Sequence, residues 1–282
     1  MVNVSMLVYG NDSGRWTSLK QGLEQAEKDY KVVFNYVATS TENSPKEQIA
    51  QIYREIENGA QGLMIAASDS TKLEDTIAKL AKNVPIVMIE TSVNHLDSID
   101  YLSADNYQMG TTLAETVMKE QDPTNKVAII SENLQRDSVM KRKQGFVDTL
   151  KGYDITYLTA SADGMNQSRL RDLLLIQRPD TVVAFDNNTL EVLASVIDEA
   201  NLPITVYGIG NSDKVVYYLD KELIHAIVYQ NGFSTGYLGA QMIYHKIVEK
   251  PKDLETEVTF SVIDKETMYS IENQRLLFPL VQ

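Results

Sequence analysis

The chain has no cysteine. That excludes disulfides, thiol nucleophiles and cysteine-ligated zinc together, while leaving the cellular compartment open. Histidine is nearly absent too: His95, His225 and His245 are far apart and match no metal-ligand spacing. No apolar run reaches the roughly 18 residues that a membrane-spanning helix needs. Positive charge is in deficit, with 26 Lys+Arg against 39 Asp+Glu and a net charge of −13. So acidic a chain is a poor match for a phosphate backbone, which argues against nucleic acid as its partner. The catalytic signatures are missing as well. There is no G-x-S-x-G elbow and no G-x-x-x-x-G-K-S/T phosphate loop. Gly208-Ile-Gly210 begins like a dinucleotide fingerprint, but Asp213 stands where the third glycine belongs. No nucleophile–base pair can be assembled, so no catalytic residue, cofactor or metal ligand is assigned and an enzyme is not expected.

What is present is ordinary globular composition, 43% hydrophobic and 23% charged over 282 residues. At roughly 150 residues per domain this makes about two domains. The segment Met1–Tyr9 is apolar but short, without a basic flank or a small-residue cleavage site, and reads as a strand rather than a signal peptide. Short Val/Ile-rich runs then alternate with helix-period stretches. The runs are Val4–Tyr9, Val32–Val37, Leu63–Ala67 and Val84–Ile89. Between them Leu19, Leu23 and Ala26 share one helix face, as do Ile49, Ile52, Tyr53 and Ile56, then Leu73, Ile77 and Leu80. The rhythm restarts with strands at Val127–Ser131, Ile155–Thr159, Thr181–Phe185, Ile204–Tyr207 and Ala226–Tyr229. A helix face at Leu190, Leu193, Ala194 and Ile197 lies among them. Apolar runs alternating with single helices are βαβ units of parallel sheets buried on both faces. The expected fold is α/β, two doubly wound lobes of about five strands each.

In open α/β sheets ligands bind beyond the carboxyl ends of the strands, so the residues there carry the functional reading. After the first strand come Asn11, Ser13, Arg15 and Trp16, the single tryptophan. An indole either packs at the helix start or covers the apolar C–H face of a sugar ring. Arg15 is either a solvated charge or a fixed fork of donors. After the fourth strand come Glu90 and Thr91. A carboxylate there either caps a helix or accepts paired hydrogen bonds from vicinal hydroxyls. In the second half Lys141-Arg142-Lys143 precedes Gly145-Phe146, and Arg142 is the member expected to point inward. Asn187 opens a helix after a strand, as an N-cap or as a combined donor and acceptor, and Gln230 ends the last clear strand with the same dual character. One indole, one carboxylate, two arginines and two amides suit a neutral polyhydroxylated ligand.

These residues also carry a family resemblance, over about residues 4 to 260. The landmarks in the first half are Trp16-Thr-Ser-Leu-Lys-Gln-Gly22, Asn58-Gly-Ala-Gln-Gly-Leu-Met-Ile65, Val84-Pro-Ile-Val-Met-Ile-Glu90 and Ser103-Ala-Asp-Asn106. Those in the second are Arg142-Lys-Gln-Gly145-Phe146, Ala184-Phe-Asp-Asn187 and Ala226-Ile-Val-Tyr-Gln230. Their order and spacing resemble the type I periplasmic binding proteins, in the branch shared by ribose- and xylose-binding proteins and lactose-repressor-like effector domains. The resemblance implies two Rossmann-like lobes joined by three crossovers, near Ala104–Asn106, Asn231–Ser234 and Ser261–Asp264. The lobes would comprise 1–104 plus 234–262 and 105–233 plus 263–282. It implies closure around a small ligand, with Trp16 in place of a stacking aromatic and Glu90 in place of a hydroxyl-binding aspartate. Arg142, Asn187 and Gln230 match the family's arginine, asparagine and glutamine, and the Arg15-Trp16 pair looks like that of the xylose-binding members. Three departures stand out: Gly208-Ile-Gly210 lacks the aspartate many sugar binders have there, Thr91 replaces an arginine, and Gly164 replaces a second aromatic.

The functional expectation is therefore an extracytoplasmic solute-binding protein, periplasmic or a cell-surface lipoprotein, whose signal segment is not part of this chain. It would close around a monosaccharide, for example an aldopentose such as xylose, without chemistry. Its partner would be a sugar ABC permease or a membrane sensor such as a histidine kinase, with no membrane insertion of its own. The alternative is the effector domain of a lactose-repressor-like regulator. Such regulators carry a DNA-binding helix-turn-helix before the first strand, whereas here that strand begins at Val4.

Overall fold

The computed structural model describes residues 1–11, 13–96, 98–159, 166–248, 254 and 256–278, apart from the side chain of Ser13. In chain order the first elements are β1 (Val2–Val8), α1 (Ser13–Asp29), β2 (Val32–Ala38), α2 (Pro45–Glu57), β3 (Gly62–Ile65), α3 (Glu74–Leu80), β4 (Ile86–Ile89) and β5 (Asp100–Leu102). There follow α4 (Asn106–Glu120), β6 (Lys126–Ile130), α5 (Asp137–Thr149), β7 (Asp154–Leu158), α6 (Gln167–Gln177), β8 (Thr181–Ala184) and α7 (Asn187–Ala200). The last are β9 (Thr205–Ile209), α8 (Asp213–Asp220), β10 (Ala226–Gln230), α9 (Gly232–Ile247), β11 (Phe260–Asp264) and α10 (Ile271–Leu277).

Two compact units result. Unit 1 comprises Met1–Ala104, Gln135–Ser138 and Asn231–Thr259; unit 2 comprises Asp105–Leu134, Val139–Gln230 and Phe260–Gln282. The sheet of unit 1 runs β2-β1-β3-β4-β5, all parallel. That of unit 2 runs β7-β6-β8-β9-β10-β11, parallel except for the last pair. Both follow the same winding, in which the second strand goes to one side of the first and the rest to the other. The switch point, where ligands bind in such sheets, lies between β1 and β3 in unit 1 and between β6 and β8 in unit 2.

The expected strands form because their side chains are apolar on both faces: β3, β4 and β8 are buried at every position. The unit 1 core joins Leu7, Leu63, Ile65 and Met88 to Ile52 and Ile77 from the helices. Strand β4 starts one residue after Pro85, which has no N–H to donate, although its carbonyl accepts from Leu63 N at 3.0 Å. Helix α1 buries Leu19, Leu23 and Ala26, and α7 buries Leu190, Leu193, Ala194 and Ile197.

Three readings are corrected. Tyr53 faces outward at 37% exposure. The inner face of α2 is shared with polar residues: Gln48 donates to Ala66 O and accepts from Ser68 N, and Glu55 accepts from Ser5 Oγ at 2.7 Å. Hydrogen-bonded polar side chains can be buried, and apolar periodicity does not register them. Strand β5 was not assigned because three residues are too short to show a period. Ser261–Asp264, expected as a connection, lies within the antiparallel edge strand β11, paired along β10 from Gln230↔Phe260 to Ala226↔Asp264.

Candidate functional site

In unit 1 the chain leaves β1 at Tyr9, which is buried to 7% exposure. Its hydroxyl donates to Glu90 Oε2 at 3.0 Å, and its ring meets Trp16 edge-on at 5.1 Å between centroids. Trp16 is itself 5% exposed and donates from Nε1 to Gly10 O at 3.1 Å. The guanidinium of Arg136, 1% exposed, lies over the Tyr9 ring 4.2 Å from its centroid. Such a cation–π contact between desolvated partners is worth about 2 kcal/mol. Arg136 sits in the segment Gln135–Ser138, which Ser70 ties down: its N–H donates to Gln135 O and its Oγ accepts from Asp137 N, both at 2.9 Å.

Glu90 directly follows β4 and has φ +60°, in the left-handed region that L-residues avoid. Such a residue costs on the order of 1–2 kcal/mol and persists only where neighbours over-determine it. Here they do. The Glu90 N–H donates to Leu102 O at 3.1 Å, and its carbonyl accepts from Tyr101 Oη at 2.8 Å and Ser103 Oγ at 3.2 Å. The strained backbone is thus pinned by β5, and the carboxylate turns to Tyr9.

The other unit 1 candidates have contacts of their own. Arg15 donates to Glu42 Oε2 at 2.8 Å with its side chain 11% exposed. Thr91 is fully buried; its carbonyl accepts from Ala67 N at 3.2 Å and its hydroxyl lies 3.5 Å from Ser138 N. Asn11 is exposed in the loop between β1 and α1. The Ser13 side chain and Gly164 lie outside the described residues.

In unit 2 Arg142 is buried at 5% exposure, donating from Nε to Asn106 Oδ1 at 2.8 Å and from Nη1 to Phe185 O at 3.1 Å. Its neighbours differ: Lys141 is exposed, and Lys143 extends its ammonium over Tyr157, 4.9 Å from the ring centroid. Burial holds the Lys143 ammonium below the usual lysine value. Two glycines make the Arg142 geometry possible. A Cβ on Gly110 of α4 would lie 1.9 Å from Arg142 O, and one on Gly145 of α5 would lie 2.1 Å from Tyr107 O. The backbones touch, which brings Asn106 within reach of Arg142.

At the switch point of unit 2, Asp186 rather than Asn187 caps α7, accepting from Thr189 N at 3.2 Å. Asn133, with φ +56°, donates to Asp186 Oδ1 at 3.0 Å. Asn187 spends its oxygen on Asn211 N at 2.7 Å and Ser212 N at 3.0 Å, and donates to Asn211 Oδ1 at 2.9 Å. Gln230, 5% exposed, closes β10. The structure therefore groups Trp16 with Glu90, through Tyr9, in unit 1, and places Arg142 beside Asn106 and Phe185 in unit 2.

Tyr9, Arg136, Asn106 and Asp186 were missed in the sequence. Tyr9 closes an apolar strand with a polar-tipped ring, a faint signal. Arg136 had none, because unit 1 receives it from the short segment Gln135–Ser138, well after the run Met1–Ala104 that builds its sheet. Among the described residues no group of three His, Asp or Glu could hold a metal, and no helix is long and apolar enough to cross a membrane.

Comparison with known proteins extends the fold's meaning. The family model of the periplasmic binding protein domain matches residues 4–251. The ribose import binding protein RbsB of Escherichia coli is 22% identical over 190 residues, 66% of this chain and 63% of the relative. The chain thus spans less than two thirds of that relative's length. Among solved structures, a carbohydrate transporter solute-binding protein from Agrobacterium radiobacter, in complex with D-arabinose, has a TM-score of 0.89 and 20% identity, covering 98% of each chain. A XylFII–LytSN complex has a TM-score of 0.82 and 18% identity, covering 94% of this chain and 98% of that one. With the α/β lobes and the matched span together, the chain belongs to the periplasmic binding protein domain family, a family of binding proteins.

Proposed function

We propose that the chain is an extracytoplasmic solute-binding protein that closes around a monosaccharide and hands it, or the signal of its presence, to a membrane partner. The observation that carries this reading is the family match across residues 4–251. The strand-end chemistry supports the ligand class. Glu90 offers a carboxylate for vicinal hydroxyls, Arg142 a buried guanidinium, and Gln230 an amide, with an indole at Trp16. Asn11, Ser13, Arg15, Thr91 and Asn187 complete the proposed set. An aldopentose such as xylose is the first ligand to test, in line with the arabinose complex of the structural relative. The partner is a sugar ABC permease, as the transporter relatives suggest. A membrane sensor is the second reading, motivated by the XylFII–LytSN likeness.

The test is a thermal-shift screen against pentoses and hexoses. A sugar at about 100 times its dissociation constant stabilises the fold by about 2.7 kcal/mol, which a melt resolves. A rise with one sugar names the ligand; a flat panel at millimolar sugar would overturn the carbohydrate assignment. Pull-down of the liganded protein with candidate permease or sensor ectodomains then separates the two partner readings.

A further inference from the structure

We propose that the turn Gly210–Ser212 fixes the Asn187 side chain in one of its two amide orientations, so that Asn187 meets the ligand as a hydrogen-bond donor only. This rests on the sugar-binding reading above and adds which kind of ligand atom that position recognises. A primary amide has two lone pairs on its oxygen and two N–H groups on its nitrogen. In Asn187 both lone pairs are taken, by the backbone N–H of Asn211 at 2.7 Å and that of Ser212 at 3.0 Å. The opposite orientation would set the amide nitrogen against two N–H donors, which excludes it. One amide N–H goes to Asn211 Oδ1 at 2.9 Å, and Asn211 turns its own Nδ2 towards Gln230 O at 3.4 Å. Asn187 keeps one N–H, which has no acceptor among the described residues, and the residue is half-buried.

Gly210 supplies a second, independent observation. A Cβ there would stand 2.9 Å from Asn187 Oδ1, with Val215 Cγ2 and Leu190 Cδ2 next at 3.2 and 3.3 Å. Gly210 has no positive φ, so backbone conformation does not call for glycine. Room for the Asn187 oxygen does, because two backbone donors keep that oxygen from swinging aside. Asn187 opens α7 beyond the carboxyl end of β8, and Asn211 lies beyond the end of β9, where ligands bind in such sheets. The consequence is a specificity rule. The ligand atom at Asn187 is an oxygen that accepts, and an ammonium in its place, which donates only, is rejected.

The experiment compares Asn187→Asp and Asn187→Ala with wild type on the full chain. Aspartate keeps an oxygen for the two backbone donors but has no N–H; alanine has neither. In calorimetric titrations with the best sugar of the panel, Asn187→Ala is expected to weaken binding about ten-fold, and Asn187→Asp at least as much, because an acceptor then faces an acceptor. Tighter binding by Asn187→Asp than by Asn187→Ala, or wild-type affinity in either, would overturn the proposal. Asn187→Asp retains the turn contacts, so its affinity decides the matter even if Asn187→Ala does not fold. The orientation itself is read without ligand, by amide hydrogen exchange. Relative to the amides of β8, exchange at Asn211 and Ser212 is expected to rise about ten-fold or more in Asn187→Ala and to stay within about three-fold of wild type in Asn187→Asp. Unchanged exchange in Asn187→Ala, or equal acceleration in both variants, refutes the fixed orientation. Should wild type bind no sugar, the carbohydrate reading fails, and exchange still decides how Asn187 is held.

Discussion

Replacing Gly145 by alanine tests how the arginine site of unit 2 is built. The added Cβ would sit 2.1 Å from Tyr107 O, 3.0 Å from Tyr107 C and 3.1 Å from Thr111 N. All three are backbone atoms of α4 or its first turn, so no side chain can swing away. Helices α4 and α5 must part by roughly 1 Å to reach ordinary contact, a shift of the size that overpacking charges at about 1–3 kcal/mol. Alanine gains about 1 kcal/mol in helix propensity over glycine. Against that, Arg142 lies three residues earlier on α5, and its bonds to Asn106 and Phe185 stretch, at about 1 kcal/mol each. The net is a destabilisation of about 2–4 kcal/mol. Urea unfolding measures it, with Gln144→Ala as the exposed control on the same helix. Sugar affinity should fall in Gly145→Ala and stay level in the control. A Gly145→Ala protein as stable as the control, or more so, would refute the close-approach argument.

Arg142→Ala leaves Asn106 Oδ1 and Phe185 O without their buried donor, so a loss of about 1–3 kcal/mol in sugar binding is expected by calorimetry. Trp16→Phe keeps a ring against Tyr9 but removes the donor to Gly10 O; thermal unfolding should show a loss of about 1 kcal/mol. Glu47 accepts from Ser40 N at 2.7 Å and Thr41 N at 3.1 Å, and the Ser40 bond leads in holding its carboxyl below the usual glutamate value. A lowered folded value means its stabilisation is present above the unfolded carboxylate range and is lost as pH falls through the folded one. Glu47→Gln should therefore cost a few tenths of a kcal/mol at pH 7, given its exposure, and nothing near pH 2. Equal loss at both pH values would show that the charge is not what matters.

The membership in two α/β units was legible because parallel strands buried on both faces write continuous Val/Ile runs. Leu63–Ala67 and Thr181–Phe185 announce β3 and β8 without any partner being known. The helix faces at Leu19, Leu23 and Ala26 were legible for the same reason. Glu90 and Arg142 were legible as positions after a strand and before Gly145-Phe146. What they touch was not. Arg15 was legible as a solvated charge or a fixed fork of donors, and the structure sets it on Glu42, while Glu90 accepts from the hydroxyl of Tyr9. Asn187 was read as either cap or ligand group, and its neighbour Asp186 takes the cap.

Sequence alone determined the class of fold, the absence of thiol chemistry and the residues that end each strand, because each of these is written in local pattern. Tertiary structure decided the partnerships. A hydrogen bond between Tyr9 and Glu90 spans 81 positions, and the ring contact from Arg136 to Tyr9 joins two separate segments of unit 1. No local period encodes which side chains a sheet order of β2-β1-β3-β4-β5 brings together. Only the winding of the chain, with β3 between β1 and β4, brings the residues that follow β1 and β4 within side-chain reach, and so makes a tyrosine answer to a glutamate.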